Sequence, residues 1–110
     1  MSIFFWKNNN IIDMFASELA NELYGKIHPS EAKKYFEGFS DKKEKKDISN
    51  KMQREIQSAV KNIIQFKLVN KLGVYGKARL HLKFKARLEE LGFEKDVVKQ
   101  INEIVMLNTP

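Results

Sequence analysis

The chain predicts an all-α fold, a small single-domain bundle of four to five helices with one long central helix, and three observations carry that reading. Apolar residues recur at spacings of three and four along most of the sequence, the runs are separated by glycine or proline, and 110 residues at 43 % hydrophobic suffice for one core. The one stretch that alternates like a strand, Lys77 to Leu88, fits the same reading, since it is built from strong helix formers and contains no β-branched residue.

Residues 1–9 form an aromatic N-terminal segment, Ile3-Phe4-Phe5-Trp6-Lys7 leading into three asparagines. Such a cluster either folds back on the core or sits among lipid headgroups, and folding back is favoured because five residues anchor a protein poorly. Asn10 reads as the N-cap of the first helix, with Asp13 near the positive end of its dipole. Ile12, Phe15, Ala16, Leu19, Leu23 and Ile27 then share one face, ending near Gly25 or Ile27. After the break at His28-Pro29, Ser30 and Glu31 start a short helix that reaches about Glu37 before Gly38, and His28 is placed to cap that turn.

Residues 40–47 are almost wholly charged and read either as a solvated loop or as exposed first turns of the long helix. From Ile48 the stripe is regular through Met52, Ile56, Ala59, Val60, Ile63 and Ile64. Beyond Phe66 it rotates to Leu68, Val69 and Leu72, so the helix bends or meets a second partner. The long helix is expected to end at the glycine-framed turn Gly73-Val74-Tyr75-Gly76. In the next helix Leu80, Phe84 and Leu88 form one stripe, to be buried with Ile56, Val60 and Ile63. Ala78, Leu82 and Ala86 form a second, and Arg79, Lys83, Arg87 and Glu90 the most polar arc. Gly92 fits the left-handed position of a Schellman ending, with Phe93 reaching Leu88. Val97, Val98, Ile101, Ile104 and Val105 mark the last helix. The short loops predict that the last three helices pack as sequential neighbours.

Charge narrows the function more than composition does. Between Ile56 and Leu88 there are eight lysines and arginines and no acid, giving +8 against +6 for the whole chain, so the remainder sums to −2. A concentrated positive segment points to a polyanionic partner. The absence of cysteine excludes disulfides and thiolate chemistry, and no apolar run reaches the roughly 20 residues that span a bilayer. With no export signal evident, the cytoplasm is the expected location. No catalytic motif, metal-ligand spacing or cofactor motif is present, so neither enzyme nor cofactor is expected. His81 reads as a boundary residue between apolar stripes, and Glu18 and Glu22 as solvent-facing.

The turn at Gly73–Gly76 is the feature with a mechanism, because a helix start offers unpaired N–H groups to an anion. Gly76, Lys77, Arg79, Lys83 and Arg87 are accordingly the candidate phosphate-binding residues, contacting nucleic-acid backbone without reading bases. The stretch Leu72 to Ala78 resembles the hairpin of helix-hairpin-helix DNA-binding modules, with one more residue between its glycines and a longer preceding helix. That resemblance implies a grip on backbone phosphate. In the other reading of the same residues, Gly73 merely ends the long helix, Gly76 starts the next, and Tyr75 is buried. The alternative function is a protein-interaction module or small regulator of a larger complex, meeting an acidic protein partner. Excess apolar surface predicts a homodimer.

Overall fold

The computed structural model describes the backbone of residues 2–109 and the side chains of residues 9–109. Five helices fill it in the order α1 (Ser2–Lys26), α2 (Pro29–Glu37), α3 (Lys42–Asn70), α4 (Val74–Glu90) and α5 (Lys95–Leu107), with no strand among the described residues. The alternating segment Lys77 to Leu88 lies wholly inside α4, so helix propensity prevails over the period-2 pattern.

Several boundaries differ from the sequence expectation for identifiable reasons. Helix α1 begins at Ser2 and passes through Asn8, Asn9 and Asn10, so Asn10 is mid-helix and exposed and caps nothing. No glycine or proline interrupts residues 2–24, and asparagine costs a helix only about half a kcal/mol per residue. The expectation that the aromatic cluster of residues 3–7 folds onto the core concerns side chains outside the described residues. Helix α2 starts one residue early, at Pro29, because His28 is its cap. The His28 Nδ1 accepts from the Ser30 N–H at 3.1 Å, and the Glu31 carboxylate accepts from the His28 N–H at 2.9 Å. The charged stretch becomes exposed helix once Asp41, capping α3, accepts from the Lys43 N–H at 3.0 Å.

The end of α3 also moves. It stops at Asn70, and Lys71 takes the left-handed C-cap conformation at φ 51°, so the chain reverses before the first glycine is reached. Gly73 is therefore the extended N-cap of α4 and does not close α3, while Gly76 sits inside the first turn of α4. At the other end of α4 the Schellman ending forms as expected. The Phe93 N–H donates to the Leu88 carbonyl and the Gly92 N–H to that of Glu89, both at 3.1 Å, with Gly92 at φ 106°.

Helices α1 and α4 are parallel, since Arg79 bonds Asp13 and Arg87 bonds Asn21 with the same offset of 66 residues. Helix α4 lies most closely against α1 and next against α5, and approaches α3 only weakly. The expectation of three sequential packing neighbours fails here because Lys71 to Gly73 swing α4 away from α3 and onto α1. Helix α3 instead meets α1, where Phe15 and Phe66 stack with centroids 4.0 Å apart. One core cluster nevertheless joins Leu80, Phe84 and Leu88 to Ile56 and Ile63, with Val60 half-buried at its edge. The second stripe of α4, Ala78, Leu82 and Ala86, is exposed. The molecule is a rod of 55 × 23 × 20 Å.

Candidate anion-docking end of the bundle

The five candidate phosphate-binding residues occupy different surroundings. Gly76 is buried, and a Cβ there would stand 3.2 Å from Leu72 Cδ2 and 3.4 Å from Ile12 Cδ1, so the glycine serves the close approach of α4 to α1. Arg79 is committed to Asp13, its Nε and Nη2 donating to the two carboxylate oxygens at 2.8 Å each. That bond, ahead of the opposing effect of desolvation, raises the guanidinium pKa above its ordinary value. Arg87 donates from Nε to the Asn21 side-chain oxygen at 3.0 Å. Lys83 lies between them in sequence on the same flank of α4. Together these three residues form the α1-facing edge of α4, and two of them are spent on tying the helices together.

Lys77 lies on the other flank of α4, where its neighbour is Lys67 of α3. Partial burial first, and the Lys77 ammonium second, lower the Lys67 pKa. Two cations are thus held near each other across the α3–α4 turn, and exposed Lys71 stands in the turn itself. Residues 61–78, which run through this turn, contain Lys61, Lys67, Lys71 and Lys77 and no acid. Asn9 and Ile12 of α1 share a crevice here with Lys71, Leu72, Gly73 and Tyr75, while α5 runs antiparallel to α4 toward the same end.

Exposed apolar side chains stand at the helix ends nearby, Val69 bordering a groove that it shares with Glu18 and Glu22 of α1. Val74 is 90 % exposed, Leu107 84 %, Leu68 74 % and Val69 71 %, and Tyr75 is exposed as well, contrary to the alternative reading of the turn in which it is buried. The signal for this patch in the sequence was the rotation of the α3 stripe after Phe66, which here leads to solvent. Lys67 and Lys71 belong to the basic block of the sequence, but the approach of Lys67 to Lys77 depends on where the turn falls.

His81 is not a boundary residue but is buried at 4 % exposure, with Nδ1 3.2 Å from the Asn102 side-chain oxygen. Its Nε2 is buried without a partner among the described residues. Burial chiefly, then the Lys77 and Lys67 charges, hold its pKa below the ordinary histidine value, with the Asn102 bond pulling the other way. Glu18 and Glu22 are exposed, as expected, and no cluster of metal-ligating side chains occurs among the described residues. No described helix is long and apolar enough to cross a membrane. Comparisons with protein-family models, curated proteins and solved structures find no match to this chain.

Proposed function

We propose that the chain is a non-enzymatic binding module that holds a polyanionic partner against the end of the rod where α3 gives way to α4. The observation that carries this reading is the grouping of Lys67, Lys71 and Lys77 at one turn, in a surface where residues 61–78 contain no acid. Nucleic-acid backbone is one such partner, engaged through these lysines and not through Arg79 and Arg87, which α1 already occupies.

The test is a salt titration of binding to duplex DNA and to heparin. Three phosphate contacts give a logarithmic salt slope near about −2.7, so raising salt fourfold weakens binding by roughly 40-fold. Replacing Lys67, Lys71 and Lys77 together by Gln abolishes that slope, whereas Arg79→Ala leaves it unchanged. Equal retention of wild type and the triple variant on every polyanion would end this reading.

A groove of about 440 Å³ between α2, α3 and α5, floored by Ile56, Val60 and Ile104, favours a second reading as a protein-interaction module or homodimer. Sedimentation equilibrium tests it, since Ile64→Glu at the groove wall would convert a dimer to a monomer.

A further inference from the structure

We infer that the polyanion is a phospholipid surface, and that the lysine-bearing end of the rod docks on anionic membranes by inserting its exposed aliphatic side chains between headgroups. This rests on the polyanion reading and names its partner. Val74, Leu107, Leu68 and Val69 are among the most exposed apolar residues of the described chain, and all stand at helix ends. A duplex offers a highly polar interface that gives such aliphatics nothing to pack against. A headgroup layer offers both contacts at once, phosphate for the ammonium groups and acyl chain for the aliphatics beside them.

A second copy of the chain fits the same surface poorly. An isologous contact across this end would set Lys67, Lys71 and Lys77 against themselves, and no acidic residue within 61–78 would offset the repulsion. The mode is peripheral, because no described helix is suited to span the bilayer.

Co-sedimentation with vesicles separates the alternatives. Phosphatidylcholine vesicles containing about a third phosphatidylserine bind the wild-type chain at low salt, pure phosphatidylcholine binds it far less, and added salt weakens the anionic case. Changing Lys67, Lys71 and Lys77 to Gln lowers partitioning by roughly 150-fold, about fivefold per lysine. Leu68→Asn and Val74→Asn, which keep every lysine, each lower it by roughly tenfold. Because all five positions are half-buried or exposed, circular dichroism verifies that the variants remain folded. Lysine-dependent binding to DNA or heparin without vesicle binding overturns the lipid inference and leaves the polyanion reading standing. Binding to neither overturns both. Vesicle binding that the Asn substitutions do not change would show charge attraction without insertion, which also overturns the inference.

Discussion

Acidification is expected to destabilise this protein through one residue, His81. The Asn102 amide donates from Nδ2 to the Met106 sulfur at 3.3 Å, which leaves its oxygen to accept from the His81 Nδ1–H. The Nε2 lone pair is then the buried, unpartnered atom, and protonating it would bury a cation facing Lys77 and Lys67. The folded-state pKa is therefore below the ordinary value of 6.5 that holds in the unfolded chain. A group depressed in this way leaves stability intact above the unfolded pKa and drains it as pH falls, because the unfolded state takes up the proton first. While the folded imidazole stays neutral, the loss approaches about 1.4 kcal/mol per pH unit, or about 1 kcal/mol over the first unit below the histidine midpoint. For 110 residues that corresponds to about 4 °C in melting temperature. Urea unfolding of wild type and His81→Phe at several pH values measures it. The substitution shifts overall stability through Asn102, so only the pH slopes are compared, and exposed His28 is common to both proteins. Matching slopes below the histidine midpoint would refute a buried neutral His81.

Three further outcomes follow from other contacts. Phe84→Ala, at a fully buried position in α4, should cost about 3–5 kcal/mol, much of the stability of a domain this size, and show as a collapse of the urea midpoint. Gly92→Ala meets nothing nearer than Pro29 Cγ at 3.9 Å, so its loss of about 1–2 kcal/mol in chemical denaturation isolates the backbone cost of φ 106°. Asp13→Asn and Arg79→Ala should each lower the melting temperature, the double variant should fall no further than the worse single one, and neither should change anion binding.

Much of the helical pattern is legible in the sequence because burial enforces it. Ile48, Met52, Ile56, Ala59 and Ile63 are all buried, as their spacing requires, and Leu88, Gly92 and Phe93 meet as the Schellman rule demands. What escapes the sequence is set by contacts between distant residues. Nothing near Arg79 announces that Asp13, 66 residues away, takes both its donors, so a basic arc read as binding surface is partly an internal seam. The exit from α3 escapes for a local reason, since a lysine at φ 51° occupies the conformation for which glycine is the usual signal. With the turn shifted by two residues, Gly76 passes from a surface helix start to a packed helical position, and Lys67 comes beside Lys77.

The parallel pairing of α1 with α4 also governs when this protein can become itself. The main partner of the first helix is the fourth, so during synthesis Ile12, Ala16, Leu19 and Leu23 of α1 are covered at most partly, by α3, until about sixty further residues have been made. Helices α4 and α5, joined by a tight ending, can pair locally and early, whereas α1 must close a long loop to reach them. The nascent chain therefore carries an apolar face that is fully hidden only late, and a truncation before Val74 would leave it covered by α3 alone.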